Sequence, residues 1–112
     1  MTVMDLTNET LKSFIANNEK PVMVVYYDSD DDQHYGYDAV IEHLEAGQDT
    51  VAIGRLDATR YPETAEYYNA KWYPTTVIYD QGEVQDYSLG PGSIEDVIDK
   101  FPKYFDANAI KG

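Results

Sequence analysis

Apolar positions along this chain alternate between two periods. Val22-Met23-Val24-Val25-Tyr26-Tyr27 is a continuous apolar run, rich in β-branched and aromatic side chains, as expected for a strand covered on both faces. Residues 50–57 read as a second buried strand. Residues 75–79 and 84–88 flank the turn Asp80-Gln81-Gly82-Glu83 and predict a hairpin. Elsewhere the spacing is helical. Leu11, Phe14 and Ile15 predict a first helix capped by Thr7 and ended by residues 17–21. Tyr37, Val40, Ile41 and Leu44 fall at i, i+3, i+4 and i+7 and predict a helix over about residues 33–46, closed by Ala46-Gly47. Pro62 suits the first turn of a short helix through Asn69, because its missing N–H would be unpaired there anyway. Ser93 heads a last helix with Ile94, Val97, Ile98 and Phe101 on one face, and Asp96 completes an acidic variant of the capping box. The order β-α-β-α-β-α-β-β-α predicts an α/β fold. Its central sheet is mixed, with parallel crossovers first and an antiparallel hairpin last, and helices cover both faces. Residues 103–112 carry Tyr104, Phe105 and Ile110 without a period, and read as a last helical turn or a frayed tail.

Composition narrows the function more than the fold. At 112 residues the chain has the size of one domain, residues 1–112, and 43% hydrophobic residues suffice for a core without staples. Its 21 acidic and 8 basic residues give a formal charge of −13, which repels nucleic-acid phosphates and anionic membranes. Such a surface either serves solubility or suits a protein partner with a basic patch. No run is long enough to span a bilayer and residues 1–6 lack a signal-peptide start, so a cytoplasmic location is expected. There is no cysteine.

Several spacings resemble those of the thioredoxin family over about residues 5–101. Asp57 follows an apolar strand with Pro62 five residues later. Tyr68 precedes Pro74 by six, and Pro74 is followed by Thr75. Asp80-Gln81-Gly82-Glu83-Val84 is similar to the family's hairpin turn, and Leu89-Gly90 sits where the family has a glycine before the last helix. The resemblance implies the thioredoxin-like fold and a cis Tyr73-Pro74 bond, whose preceding backbone would be free to pair with an extended peptide. Two departures bear on activity. Asp31-Asp32-Gln33-His34 stands where the family carries Cys-Gly-Pro-Cys, and Val25 stands where the family keeps a buried proton-transferring acid. Disulfide exchange needs an attacking thiolate and a resolving sulfur, and this chain has neither.

What could occupy the former active site stays open at this level. Asp28, Asp30, Asp31 and Asp32 lead into a helix N-terminus, where unpaired N–H groups and the helix dipole stabilise acids. One of them then caps the helix and the rest are solvated. A second reading is a cation site or metal-dependent enzyme, in which His34 and Asp38, at i and i+4, converge with Asp30 or Asp31. The Asp-x-Asp-x-Asp-Gly spacing of a calcium loop is absent. A hydrolase using Asp31 and His34 is a third, without a nucleophile motif or a phosphate-cradling glycine loop to support it. No cofactor is expected.

Among 11 tyrosines, the resemblance places Tyr35 and Tyr73, with Trp72, on the face around the former active site. Exposed Trp and Tyr beside a groove dominate interface energetics, whereas a Trp lying flat merely covers the core edge. The expectation is a redox-inactive module for protein binding or assembly. The resemblance supplies precedents in the non-catalytic domains of protein disulfide isomerases, the hydrogenase-assembly chaperones and thioredoxin acting as a polymerase subunit. The expected contact face comprises Asp31, Asp32, Gln33, His34, Trp72, Tyr73, Pro74 and Gly90.

Overall fold

The structure, a computed structural model, describes residues 3–31 and 34–106, without the side chains of His34 and Tyr35. Its elements run β1 (Met4–Leu6), α1 (Thr10–Ala16), β2 (Val22–Tyr27), α2 (His34–Gly47), β3 (Ala52–Asp57), α3 (Pro62–Tyr67), β4 (Thr75–Asp80), β5 (Glu83–Leu89) and α4 (Ile94–Lys100). The strands form one sheet in the order β1-β3-β2-β4-β5. The β1–β3 and β2–β3 pairs are parallel; the β2–β4 and β4–β5 pairs are antiparallel. This is the mixed sheet that the alternation of periods predicts.

Each face of the sheet carries its own core. On one, Leu11, Phe14 and Ile15 of α1 and Ala65 of α3 meet Val22, Val24 and Tyr26 of β2, Leu56 of β3, and Val77 and Tyr79 of β4. On the other, Tyr37, Ile41 and Leu44 of α2, with Val97 of α4, meet Met23, Val25, Ile53 and Ile78. Strand β2 is apolar throughout because both of its faces are buried. Gly54 of β3 lets α1 approach closely: a Cβ there would lie 2.6 Å from Leu6 Cδ1 and 3.1 Å from Phe14 Cε2.

Local signals act as their chemistry requires. The Thr7 hydroxyl accepts the N–H of Glu9 and of Thr10, each at 3.2 Å, ahead of α1. Ser93 and Asp96 form the reciprocal capping box of α4. Gln81 and Gly82 have φ of 56° and 83°, the left-handed pair that a two-residue hairpin turn needs. After α4, Tyr104 and Phe105 donate N–H bonds to the Phe101 carbonyl, and Phe105 is buried in the second core. The reading of residues 103–112 as a last turn thus applies as far as Asp106, and Ile110 lies outside the described residues. No described helix is long and apolar enough to cross a membrane.

Candidate functional site

The segment between α3 and β4 carries Trp72, Tyr73 and Pro74 of the expected face and meets Gly90 after β5. The Tyr73-Pro74 bond is cis, and the Pro74 carbonyl accepts the Gly90 N–H at 2.8 Å, so Pro74 and Gly90 are adjacent. Gly90 has φ of 85°, a backbone state that glycine reaches without steric cost. Trp72 and Tyr73, neighbours in sequence, part in space. Tyr73 turns inward against the first core, and its hydroxyl donates to the Ala70 carbonyl at 3.0 Å. Trp72 stays 68% exposed. Burial raises the Tyr73 phenol above its usual range, helped by the nearby carboxylates of Asp28 and Glu66, which brings the acidic loop up to this corner.

Trp72 opens onto an apolar groove of about 330 Å³ that also involves Tyr68, Asn69, Thr75, Val77, Val84, Tyr87 and Leu89. The sequence reading missed the β5 part of it. A β-bulge explains why: Ile78 pairs with Asp86 but Tyr79 pairs with Val84, so Gln85 is the extra residue. Strict alternation would put Val84 on the face opposite Tyr87 and Leu89, and the bulge returns it to theirs. Neither α1 nor α3 reaches over β5, and Val84, Tyr87 and Leu89 are more than half exposed.

The acidic loop is organised by its own backbone. The Asp28 carboxylate accepts the Asp30 N–H at 2.9 Å, and the Asp31 N–H reaches the Asp28 carbonyl at 3.1 Å. The Ser29 and Thr59 hydroxyls lie 2.7 Å apart, and Thr59 donates both its N–H and its hydroxyl to Asp57. Burial alone would raise the Asp57 carboxyl, but hydrogen bonds from Thr59 and Ser29 outweigh it and hold the group below the usual aspartate range. Asp57 therefore pins the acidic loop to the turn before α3. Asp32 and Gln33 lie outside the described residues; His34 begins α2.

Asp38, the residue expected to join His34 at a cation, has another partner. Its carboxylate accepts a hydrogen bond from the Arg55 guanidinium, which also donates to Asp5 at 2.6 Å and lies 3.6 Å from Glu42. The hydrogen bond to Asp5 is the largest cause holding Arg55 more firmly charged than usual; burial opposes it and Asp38 adds to it. Among the described residues, no group of three or more His, Cys, Asp or Glu side chains is placed to hold a metal. Val25, where the resemblance places a buried acid, is itself buried. With Tyr27, Tyr37, Asp38, Arg55 and Pro74 it closes around a space of only about 10 Å³, no more than about one water could occupy. Among the described residues, the interior between Val25 and Pro74 is thus nearly filled. The groove beside Trp72 is much larger.

Two of the solved structures that share this fold are a designed protein and a thioredoxin. A designed protein is 21% identical over 92% of this chain and 97% of its own, with a TM-score of 0.81. A mutant thioredoxin from Halobacterium salinarum NRC-1 is 21% identical over 94% of this chain and 90% of its own, with a TM-score of 0.76. The fold is thus the thioredoxin-like fold. No family model matches the chain, and neither does any curated protein. Without cysteine, the dithiol chemistry of thioredoxins has no sulfur to run on.

Proposed function

We propose that this thioredoxin-like domain is a non-catalytic binding module that holds a protein partner on the face around its former active site. The observation that carries the reading is Trp72: a large aromatic, 68% exposed, at the mouth of an apolar groove and next to the Pro74–Gly90 contact. Trp and Tyr supply much of the binding energy at interfaces because they bury a large area at little conformational cost. The acidic loop with Asp31, continued along the chain by Asp32, Gln33 and His34, borders this corner and selects for basic partners through encounter rate and register. Tyr73, Pro74 and Gly90 form the rigid floor that aims Trp72 outward.

The test compares Trp72→Ala with the wild type against a partner isolated from the native host and then purified. Loss of roughly 2 kcal/mol or more of affinity is expected, as for an aromatic anchor. Stability should change by only about 0.5 kcal/mol, as for an exposed position away from the core. A large stability loss with unchanged affinity would make Trp72 a packing residue and refute the reading.

A further inference from the structure

Five of the six exposed large hydrophobic side chains among the described residues, Tyr67, Trp72, Val84, Tyr87 and Leu89, gather at the α3–β5 side of the sheet, leaving only Met4 elsewhere. That face is built to be covered. α1 and α3 shield β1, β3, β2 and part of β4, while β5 carries apolar side chains with no helix above them among the described residues. A missing third helix would complete the layer.

Two observations decide between occupants. The first concerns the strand edge. β5 is the edge of the sheet, but the outer amide of Tyr87 is already taken, since its N–H donates to the Asp86 carboxylate at 2.8 Å. Glu83 and Asp86 also place charge along this edge, and Lys100 lies 3.9 Å from Asp86. Edges occupied and charged in this way discourage strand addition. The second is charge. Glu66 of α3 and Glu83 of β5 flank the groove residues in sequence, with Lys71 the cation beside Trp72, in a chain of net charge −13. A second copy would bring another −13 onto the same face, whereas a cationic segment is attracted to it.

Resting on the reading of the protein as a binding module, we infer that the β4–β5 face docks an amphipathic helix of a partner protein. Its apolar stripe covers Trp72, Val84, Tyr87 and Leu89, and its lysines or arginines complement the chain's net charge of −13. The helix lies on the sheet face, as α1 and α3 do, and does not extend the sheet.

Trp72 is the chain's only tryptophan, so its emission reports this face directly. The probe is a leucine–lysine peptide of about five helical turns, with a leucine–glutamate peptide of the same pattern as control. Saturable binding of the lysine peptide is expected, with a blue shift of Trp72 emission, and none with the control. The deciding variant is Leu89→Asp. It makes the protein more acidic, so attraction by charge alone would strengthen binding, whereas loss of the apolar contact should weaken it at least tenfold. Amide chemical shifts should move at Val84, Tyr87 and Leu89. Unchanged or tighter binding by Leu89→Asp, no binding at all, or self-association through this face in sedimentation would each overturn the inference. Shifts confined to Asp28, Asp30, Asp31 and Gly90 would overturn it too, while leaving the binding-module reading intact. Should Leu89→Asp fold poorly, Tyr87→Ser carries the same expectation of at least tenfold weakening.

Discussion

The paired hydroxyls of Tyr26 and Tyr79 give the sharpest test of how the first core is held. Their oxygens lie 2.7 Å apart, with Tyr26 fully buried and Tyr79 3% exposed. Changing either residue to Phe removes one hydroxyl and leaves the other without its partner among Val22, Val24, Val77 and Leu56. An unsatisfied buried polar group costs about 1–3 kcal/mol, so each single variant should lose about 1–2 kcal/mol. Changing both together removes the donor and the acceptor at once, and should cost less than either single change. Urea unfolding of the four proteins closes the cycle, with an expected coupling of about 1–2 kcal/mol. In a domain of this size each kilocalorie lost should lower Tm by roughly 4 °C. Burial pushes the Tyr79 phenol up to about 12, against the hydrogen bond from Tyr26, which lowers it; burial first and then Tyr79 push the Tyr26 phenol higher still. Absorbance titration of the folded protein should therefore leave both protonated at pH 11. A double variant that loses the sum of the two single costs would refute the reasoning, because the hydroxyls would then act independently.

Two further outcomes follow from contacts already described. Gly54→Ala should cost about 1–2 kcal/mol in urea unfolding through overpacking against Leu6 and Phe14; unchanged or raised stability would mean that α1 yields freely. Asp57→Asn should lower Tm at pH 7. Because the folded-state pKa of Asp57 is depressed, its contribution is present above the ordinary aspartate range and is lost as pH falls through the depressed value, so the gap from wild type should narrow with acidification. A gap independent of pH would show that the carboxylate charge is not what the turn uses.

Sequence pattern reveals the elements of this fold because each follows from a local cause. The double-sided burial of β2, the Ser93–Asp96 capping box and the Gln81-Gly82 turn are all written in adjacent or helically spaced residues. The site was legible only in part. Pro74 and Gly90, both named in the expected face, are hydrogen-bonded, but nothing local says that Trp72 points outward while Tyr73 turns in. Arg55 joins Asp5, 50 residues earlier, and Asp38, 17 residues earlier, through strand pairing and the placement of α2. The groove was hidden for a different reason. A bulge adds one residue to β5 and breaks the alternation from which an apolar stripe would be read.

The surroundings of Val25 bear on how this scaffold could be re-engineered. Cysteines installed at Asp31 and His34 would bring back sulfur without bringing back an exchange catalyst. Where the resemblance places a proton-transferring acid lies the apolar Val25, in a nearly filled interior, and Asp38 and Arg55, which line the same space, are bound to each other. A nearby proton donor speeds departure of a thiolate, and Asp38, the acid lining that space, is committed to a guanidinium. Conversion to an oxidoreductase would therefore require rebuilding the floor of the site, with a carboxyl at Val25 and Asp38 released from Arg55, before the two sulfurs could turn over.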